Sequence, residues 1–437
     1  MRLVDTLIHA RHVVPIEPDG QVLDDHAVAV ADGLIVAVLP SAEARATFSA
    51  VDVVERPNHV LMPGLVNTHT HAAMTLMRGL SDDLALMDWL EGHVWPTEAK
   101  YVSPEFVRAG TELAIAEFIK GGVTCFNDMY FFPDVVAATA EHHGIRAGVG
   151  LIVIEFPSAW ARTPDEYFSK GIELAQSLRG SKLIKPVFAP HAPYTVSDDS
   201  LKRIRTLSAE LNIPVQIHLH ETAFEVESSV KQYGVRPFAR LRELGLIGPD
   251  VMAVHMTQLS SDEISEAARS NLKVIHCPES NLKLASGFCP VDKLLEAGVC
   301  VGLGTDGAAS NNDLDLLGEM RTAALLAKAV AQDARALPAA KALRMATLDG
   351  ARALGRDAEI GSIVPGKAAD LIALDFKRIA TVPLYSVISH LVYAAQSSQV
   401  SDVWIAGRRK LKDSQLVDMN EAAIIQQAQA WATVIRP

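Results

Sequence analysis

Over the first sixty residues, apolar stretches are short and broken by polar residues and turns, as in β-strands. Ala27-Val28-Ala29-Val30 and Leu34-Ile35-Val36-Ala37-Val38 flank Asp32-Gly33, a dipeptide suited to the positive φ angles of a tight hairpin. From Gly64 the texture changes. Eight apolar runs recur near residues 65–69, 123–127, 147–154, 185–190, 214–219, 251–255, 273–277 and 299–305, separated by stretches of helical character. Ser103-Pro104 supplies an N-cap and a proline at the first helical position, and Gly121-Gly122 closes that helix. Ser260 and Glu263 have capping-box spacing at the start of another. Further helices are expected near 314–331 and 338–354. Past about residue 357 strands and turns return, in Gly361-Ser362-Ile363-Val364-Pro365-Gly366, Ala369-Asp370-Leu371-Ile372-Ala373-Leu374 and Val403-Trp404-Ile405-Ala406-Gly407. Eight strands alternating with helices predict an α/β fold, a (β/α)8 barrel with its chemistry at the C-terminal strand ends. The two chain ends are expected to join in one small β domain.

Composition narrows the partners. The 437-residue chain is 49% hydrophobic and 21% charged, with a net charge of -12. A globule of that charge is poorly suited to nucleic-acid backbones or anionic lipid, which require basic patches, but it can take a small neutral or zwitterionic molecule. Cys125, Cys277, Cys289 and Cys300 form no Cys-x-x-Cys pair and read as buried thiols of a reducing compartment. No signal-like apolar core follows Met1, and no run of eighteen apolar residues occurs, so the expected location is cytoplasmic.

The strand ends carry the chemistry. His69 and His71 end the first predicted strand, Asn127-Asp128 the second and His191 the fourth. His218, His220 and Glu221 end the fifth, His255 the sixth, His276 the seventh and Asp306 the eighth. Seven of the 15 histidines thus sort to one face of the expected barrel. Side chains two apart on a strand point the same way, so His69 and His71 can converge on one ion. His218 and Asp306 complete a set that suits Zn²⁺, with Fe²⁺ or another divalent metal as the alternative. A catalytic ion keeps a position for water and lowers its pKa to about 7. Glu221 can lie beside it and move protons, and His255 can meet the attacking water or a developing oxyanion. Spacing leaves His218 and His220 equivalent as third ligand. His276, ahead of Cys277-Pro278, reads as a core histidine.

Gly302-Leu303-Gly304-Thr305-Asp306-Gly307 matches a dinucleotide-binding pattern. Two helices in succession follow it where a helix and a strand are required, and its carboxylate would repel a pyrophosphate. A nucleic-acid deaminase would carry His-x-Glu and Pro-Cys-x-x-Cys, and neither is present.

Three segments resemble the amidohydrolase superfamily: Pro63-Gly64-Leu65-Val66-Asn67-Thr68-His69-Thr70-His71, Ile217-His218-Leu219-His220-Glu221-Thr222 and Gly304-Thr305-Asp306-Gly307-Ala308-Ala309-Ser310-Asn311-Asn312. Within it the chain is most similar to the 5-methylthioadenosine/S-adenosylhomocysteine deaminase family. The resemblance implies a one-metal barrel over residues 63–357 and a composite β-sandwich from residues 1–62 and 358–437. It also implies one Zn²⁺ per subunit, with His218 as third ligand and Asp306 as fourth ligand and general base. In the same way it assigns protonation of the ring nitrogen to Glu221 and steadying of the water to His255. Trp89 is implied beside the nucleoside, Glu98 on the ribose hydroxyls and His191 near sugar and base. Arg162 is implied toward the 5′ substituent, and Ser310 beside the catalytic Asp306. The expected partner is a small nucleoside, and a homo-oligomer is compatible with the family. Where relatives that handle a homocysteine carboxylate place a second arginine after the third strand, this chain reads Gly148-Val149-Gly150-Leu151. Methylthioadenosine is therefore the expected substrate, ahead of S-adenosylhomocysteine and adenosine. The alternatives are an aminohydrolase of guanine, cytosine or a chlorotriazine, and a non-catalytic scaffold of the same fold.

Overall fold

The computed structural model describes residues 1–436 and places them around two eight-stranded sheets. One sheet is the barrel: Leu65–Thr70, Val123–Asp128, Arg146–Val153, Ile184–Pro190, Val215–Leu219, Val251–His255, Lys273–His276 and Cys300–Leu303, each parallel to the next. The Asp306 N–H donates to the His69 carbonyl at 3.1 Å, and the Thr68 hydroxyl donates to the Leu303 carbonyl at 2.7 Å. These bonds bring the last strand back to the first. Helices cover the outside while side chains fill the inside, so most of the strands are buried along their whole length. That is why they read as unbroken apolar runs. Val66, Cys125, Val187, Met252, Val254 and Ile275 belong to one apolar cluster. A buried polar layer lies against the histidine cluster, where Asn127 donates to Gln216 Oε1 at 2.9 Å and Asn67 donates to Thr305 Oγ1 at 2.8 Å.

Local signals act as expected at the helix ends. Ser103 caps Pro104–Gly121 by accepting the Phe106 N–H, and Gly122 ends it at φ 86°. The capping box of Ser260 and Glu263 opens Ser261–Ser270. The stretch near 338–354 differs from its sequence expectation. It forms two helices, Ala339–Met345 and Leu348–Ala353, interrupted at Thr347 with φ -130° and ψ -97°. The Thr347 hydroxyl bonds back to the Leu343 carbonyl at 2.7 Å, an alternative to helix continuation available to threonine.

The second sheet draws strands from both chain ends, in the order Gln415–Leu416, Arg408–Lys412, Val400–Ile405, Leu371–Asp375, Phe48–Pro63, Arg2–Val13, Leu23–Ala31 and Leu34–Pro40. All neighbours are antiparallel except Arg2–Val13 and Phe48–Pro63. Successive residues alternate between two apolar clusters, Ile8, Val28 and Val30 on one face and Leu7, Ala27 and Ala29 on the other. Asp32 and Gly33 form the hairpin turn with φ 52° and 76°. Phe48–Pro63 continues through Gly64 into the first barrel strand, so this sheet anchors the strand that carries His69 and His71. A Cβ at Gly64 would lie 2.1 Å from Thr124 Oγ1, which leaves glycine as the residue that fits. The buried pair Arg146–Asp370, at 2.7 and 3.1 Å, ties the third barrel strand to the second sheet. Among the described residues no helix is long and apolar enough to cross a membrane.

Candidate active site

At the C-terminal strand ends, one donor atom from each of His69, His71, His218 and Asp306 lies within 4.8 Å of the others. His69 and His71 come from one strand at same-face spacing, His218 from the fifth, and Asp306 from just beyond the eighth. Each imidazole is engaged through Nδ1: His69 with Gln216 Oε1 at 3.2 Å, His71 with the Met129 carbonyl at 2.5 Å, His218 with the His191 carbonyl at 2.7 Å. These partners accept hydrogen bonds, so Nδ1 carries a proton and Nε2 turns to the cluster, where it offers a lone pair whenever the ring is neutral. The Nε2 atoms of His69 and His218 then face each other at 3.1 Å. Asp306 Oδ1 lies 3.1 Å from His71 Nε2 and 3.5 Å from His69 Nε2. Lone pairs and a carboxylate turned toward one buried point, with the opposite ring nitrogens oriented by outer groups, fit a divalent cation.

The electrostatics agree. Burial lowers His69 to about 4 and His218 well below the usual imidazole range. Burial also opposes charge on His71, but its hydrogen bond and attraction to Asp306 lift it to about 9. Against the same burial, hydrogen bonds from His69 and His71 hold Asp306 well below the usual carboxylate range.

Glu221 sits beside this cluster. Burial, and next the charge of Asp306, raise its carboxyl to about 8, the direction a proton donor working near neutral pH needs. His255 Nε2 is 3.7 Å from Glu221 Oε2, and His255 Nδ1 is 2.8 Å from Asn281 Oδ1. Ser280 and Ser310 both donate to Asp306 Oδ2, at 2.6 and 3.0 Å. His220, His255 and Asp306 leave their strands with φ of 54°, 77° and 59°. Left-handed conformations are sparsely populated for residues with a Cβ, and they cluster at functional sites.

An open pocket of about 790 Å³, part of it open to solvent, lies over the cluster. Trp89, Glu98, His191, Glu221, His255, Asp306 and Ser310 line it, and so do Trp95, Tyr130, Phe131 and Phe156. Burial raises Glu98 to about 7 against its bond to Tyr130, and lowers His191 to about 3. Arg162 is not brought in. It is exposed, its backbone N–H donates to Glu166 Oε2 at 2.7 Å, and among the described residues no lysine or arginine lines the cavity.

Three further positions are informative. Gly148-Val149-Gly150-Leu151 lies inside the third strand, not after it, and a Cβ at Gly150 would meet the Asp128 carbonyl oxygen at 2.6 Å. Gly150 therefore answers to packing, and Ile152, Ile154 and Phe156, at and just past the strand end, line the cavity. His220 turns away and accepts the Phe238 N–H through Nε2 at 3.1 Å. His276 is buried and lies outside both the donor cluster and the cavity lining.

The residues that the sequence reading passed over are Gln216, Ser280 and Asn281. Gln216 was hidden inside an apolar strand, where a buried amide is itself a signal. Ser280 and Asn281 follow His276-Cys277-Pro278, and their role emerges only when the short helix Pro278–Lys283 packs over Asp306 and His255.

A model of the family described as Amidohydrolase family matches residues 60–410. A Saccharophagus degradans protein named 5-methylthioadenosine/S-adenosylhomocysteine deaminase is 46% identical over 432 residues, covering 99% of this chain and 97% of its own. A Methanosarcina barkeri 5'-deoxyadenosine deaminase is 40% identical over 430 residues, 98% of each chain. The crystal structure of a Xanthomonas campestris adenosine deaminase with bound zinc is 56% identical and covers 100% of this chain and 99% of its own, with a TM-score of 0.99.

Proposed function

The chain belongs to the amidohydrolase family, and from that premise we propose that it is a zinc-dependent hydrolytic deaminase of 5′-methylthioadenosine. The products are the inosine analogue and ammonia, and S-adenosylhomocysteine and adenosine are accepted less well. The observation that carries the reading is the convergence of four metal-binding donors and the buried carboxyl of Glu221 on one cavity.

His69, His71, His218 and Asp306 would hold the ion. When bound, it supplies Lewis acidity that activates water at neutral pH. Glu221 donates its proton to N1 of the purine as water adds at C6. Asp306 takes a proton from the water and passes it to the amino group, the C6–N bond breaks and ammonia leaves, and the remaining hydroxyl proton returns to Glu221 as C6 becomes a carbonyl. His255 has Nδ1 turned to Asn281, which leaves Nε2 free to accept a hydrogen bond from the water. Trp89 flanks the nucleoside, Glu98 takes the ribose hydroxyls, His191 lies near sugar and base, and Ser310 steadies Asp306.

The 5′ preference is supported by the lining. Trp95, Phe131 and Phe156 suit a methylthio group. The zwitterionic end of S-adenosylhomocysteine would lose water without a cationic partner for its carboxylate, an unfavourable exchange. The test is kcat/KM of the zinc-loaded protein, followed by ammonia release, for methylthioadenosine, S-adenosylhomocysteine, adenosine, guanine and cytosine. The highest value is expected for methylthioadenosine. A higher value for guanine or cytosine would move the activity to another ring, and an equal or higher value for S-adenosylhomocysteine would overturn the 5′ preference.

A further inference from the structure

No hydrogen bond among the described residues holds the carboxyl of Glu221, since its near neighbour His255 Nε2 stands 3.7 Å away. Its aim therefore comes from its backbone, and that backbone is held from outside its own strand. The strand Val215–Leu219 ends one residue before His220, whose φ of 54° swings the chain toward the cavity. Glu225 Oε1 accepts the His220 N–H at 3.1 Å and Glu225 Oε2 accepts the Glu221 N–H at 2.8 Å. On the other side the Thr257 N–H donates to the His220 carbonyl at 2.9 Å, and the Thr257 hydroxyl donates to the Glu221 carbonyl at 2.7 Å. Both amides and both carbonyls of this two-residue segment are thus taken by two residues.

Glu225 is more than a helix cap. It is the third residue of Ala223–Tyr233, whose N-cap is Thr222. In a capping box the carboxylate at this position returns to the N-cap N–H, whereas Glu225 reaches past it to the two residues before. It is 5% exposed, and no lysine or arginine pairs with it among the described residues. Burial raises its carboxyl to about 8 against the two backbone bonds it accepts, and a buried acid with no cation beside it is unfavourable in itself, which points to a task other than stability.

We propose that Glu225 and Thr257 are positioning residues for Glu221, fixing the 220–221 backbone so that the carboxyl meets the ring nitrogen unassisted. The inference rests on the reading of Glu221 as the proton donor. Thr257→Val removes the hydroxyl donor at nearly constant volume, and Glu225→Gln sets an amide donor against a backbone N–H. With the zinc-loaded full chain and methylthioadenosine, each variant is expected to lower kcat per bound zinc by about ten- to a hundredfold through misplacement alone. KM and zinc content should stay near the parent's, and Thr257→Ser should restore most of the rate.

A double-mutant cycle with Glu221→Gln, followed under single-turnover conditions at high enzyme concentration, separates positioning from general damage. Once Glu221 cannot donate, Thr257→Val should add little further loss. Overturning results are a kcat per zinc equal to the parent's in folded Thr257→Val, or the same fold loss with and without Glu221→Gln. A zinc-loaded parent that turns over normally as Glu221→Gln would instead remove the reading on which the inference rests. If Glu225→Gln fails to fold, the Thr257 pair decides alone.

Discussion

His218 and His220 stand two residues apart, yet His218 Nε2 comes within 3.1 Å of His69 Nε2 while His220 Nε2 accepts the Phe238 N–H. Same-face spacing holds only while the strand lasts, and it ends at Leu219. His218→Ala is therefore expected to lose most of its bound zinc. His220→Ala should keep it and instead lose about 1–3 kcal/mol of stability, from the unsatisfied Phe238 N–H. Metal stoichiometry and thermal unfolding on both variants check this, and reversed metal contents would contradict it.

Glu221→Gln keeps the shape of the side chain but removes its acidic proton. Turnover should fall about 10²–10⁴-fold, the usual range for general acid catalysis, with zinc content unchanged. The measurement is kcat alongside metal analysis, and normal turnover would exclude Glu221 from proton transfer.

The pH dependence follows from the same group. Glu221 stands at about 8 because burial and then Asp306 disfavour its ionisation, so the active, protonated form is lost as pH rises. A bound cation favours the ionised form and shifts the limb downward. The kcat profile should fall on its alkaline side, at or below about pH 8, and the residual rate of Glu221→Gln should lack that limb.

Asn281 Oδ1 can only accept, so it fixes the proton of His255 on Nδ1. Asn281→Ala should release that tautomer and lower kcat by about ten- to a hundredfold, with the zinc retained, as for groups that orient a catalytic partner. Asn281→Asp, which still accepts, should keep more activity than Asn281→Ala. Rates of the two variants decide it.

Phe156→Arg puts a guanidinium at the cavity wall, where Gly150 has no room for one. A charge-assisted hydrogen bond is worth roughly 1.5–3 kcal/mol, or about ten- to a hundredfold in relative kcat/KM. The ratio for S-adenosylhomocysteine over methylthioadenosine should rise accordingly. An unchanged ratio would mean that the 5′ end lies elsewhere.

Much of this was legible because the barrel repeats one physical rule. Strands buried on both faces must be apolar, so a histidine or carboxylate at such a strand's end stands out, as His69, His71, His218, His255 and Asp306 do. What the sequence concealed depends on chain reversal. His220 leaves the strand with a positive φ and turns from the cluster, and its backbone is held by Glu225, whose spacing from Thr222 is visible locally, and by Thr257, which lies far away in sequence. The expectation that Gly150 follows the third strand was out by a few residues, enough to turn a packed position into a supposed wall position. Arg162 was assigned by likeness alone, and it lies on the exposed side of its loop.

The most direct test of the account is metal removal and return with methylthioadenosine as substrate. The parent protein is stripped with a chelator, dialysed, and titrated with Zn²⁺ while the ultraviolet change from adenine to hypoxanthine and the released ammonia are both followed. No turnover is expected in the stripped protein, and the rate should rise in proportion to zinc up to one ion per chain, with one ammonia for each methylthioinosine formed. Full turnover in the stripped protein, or none with one zinc bound per chain, would contradict it.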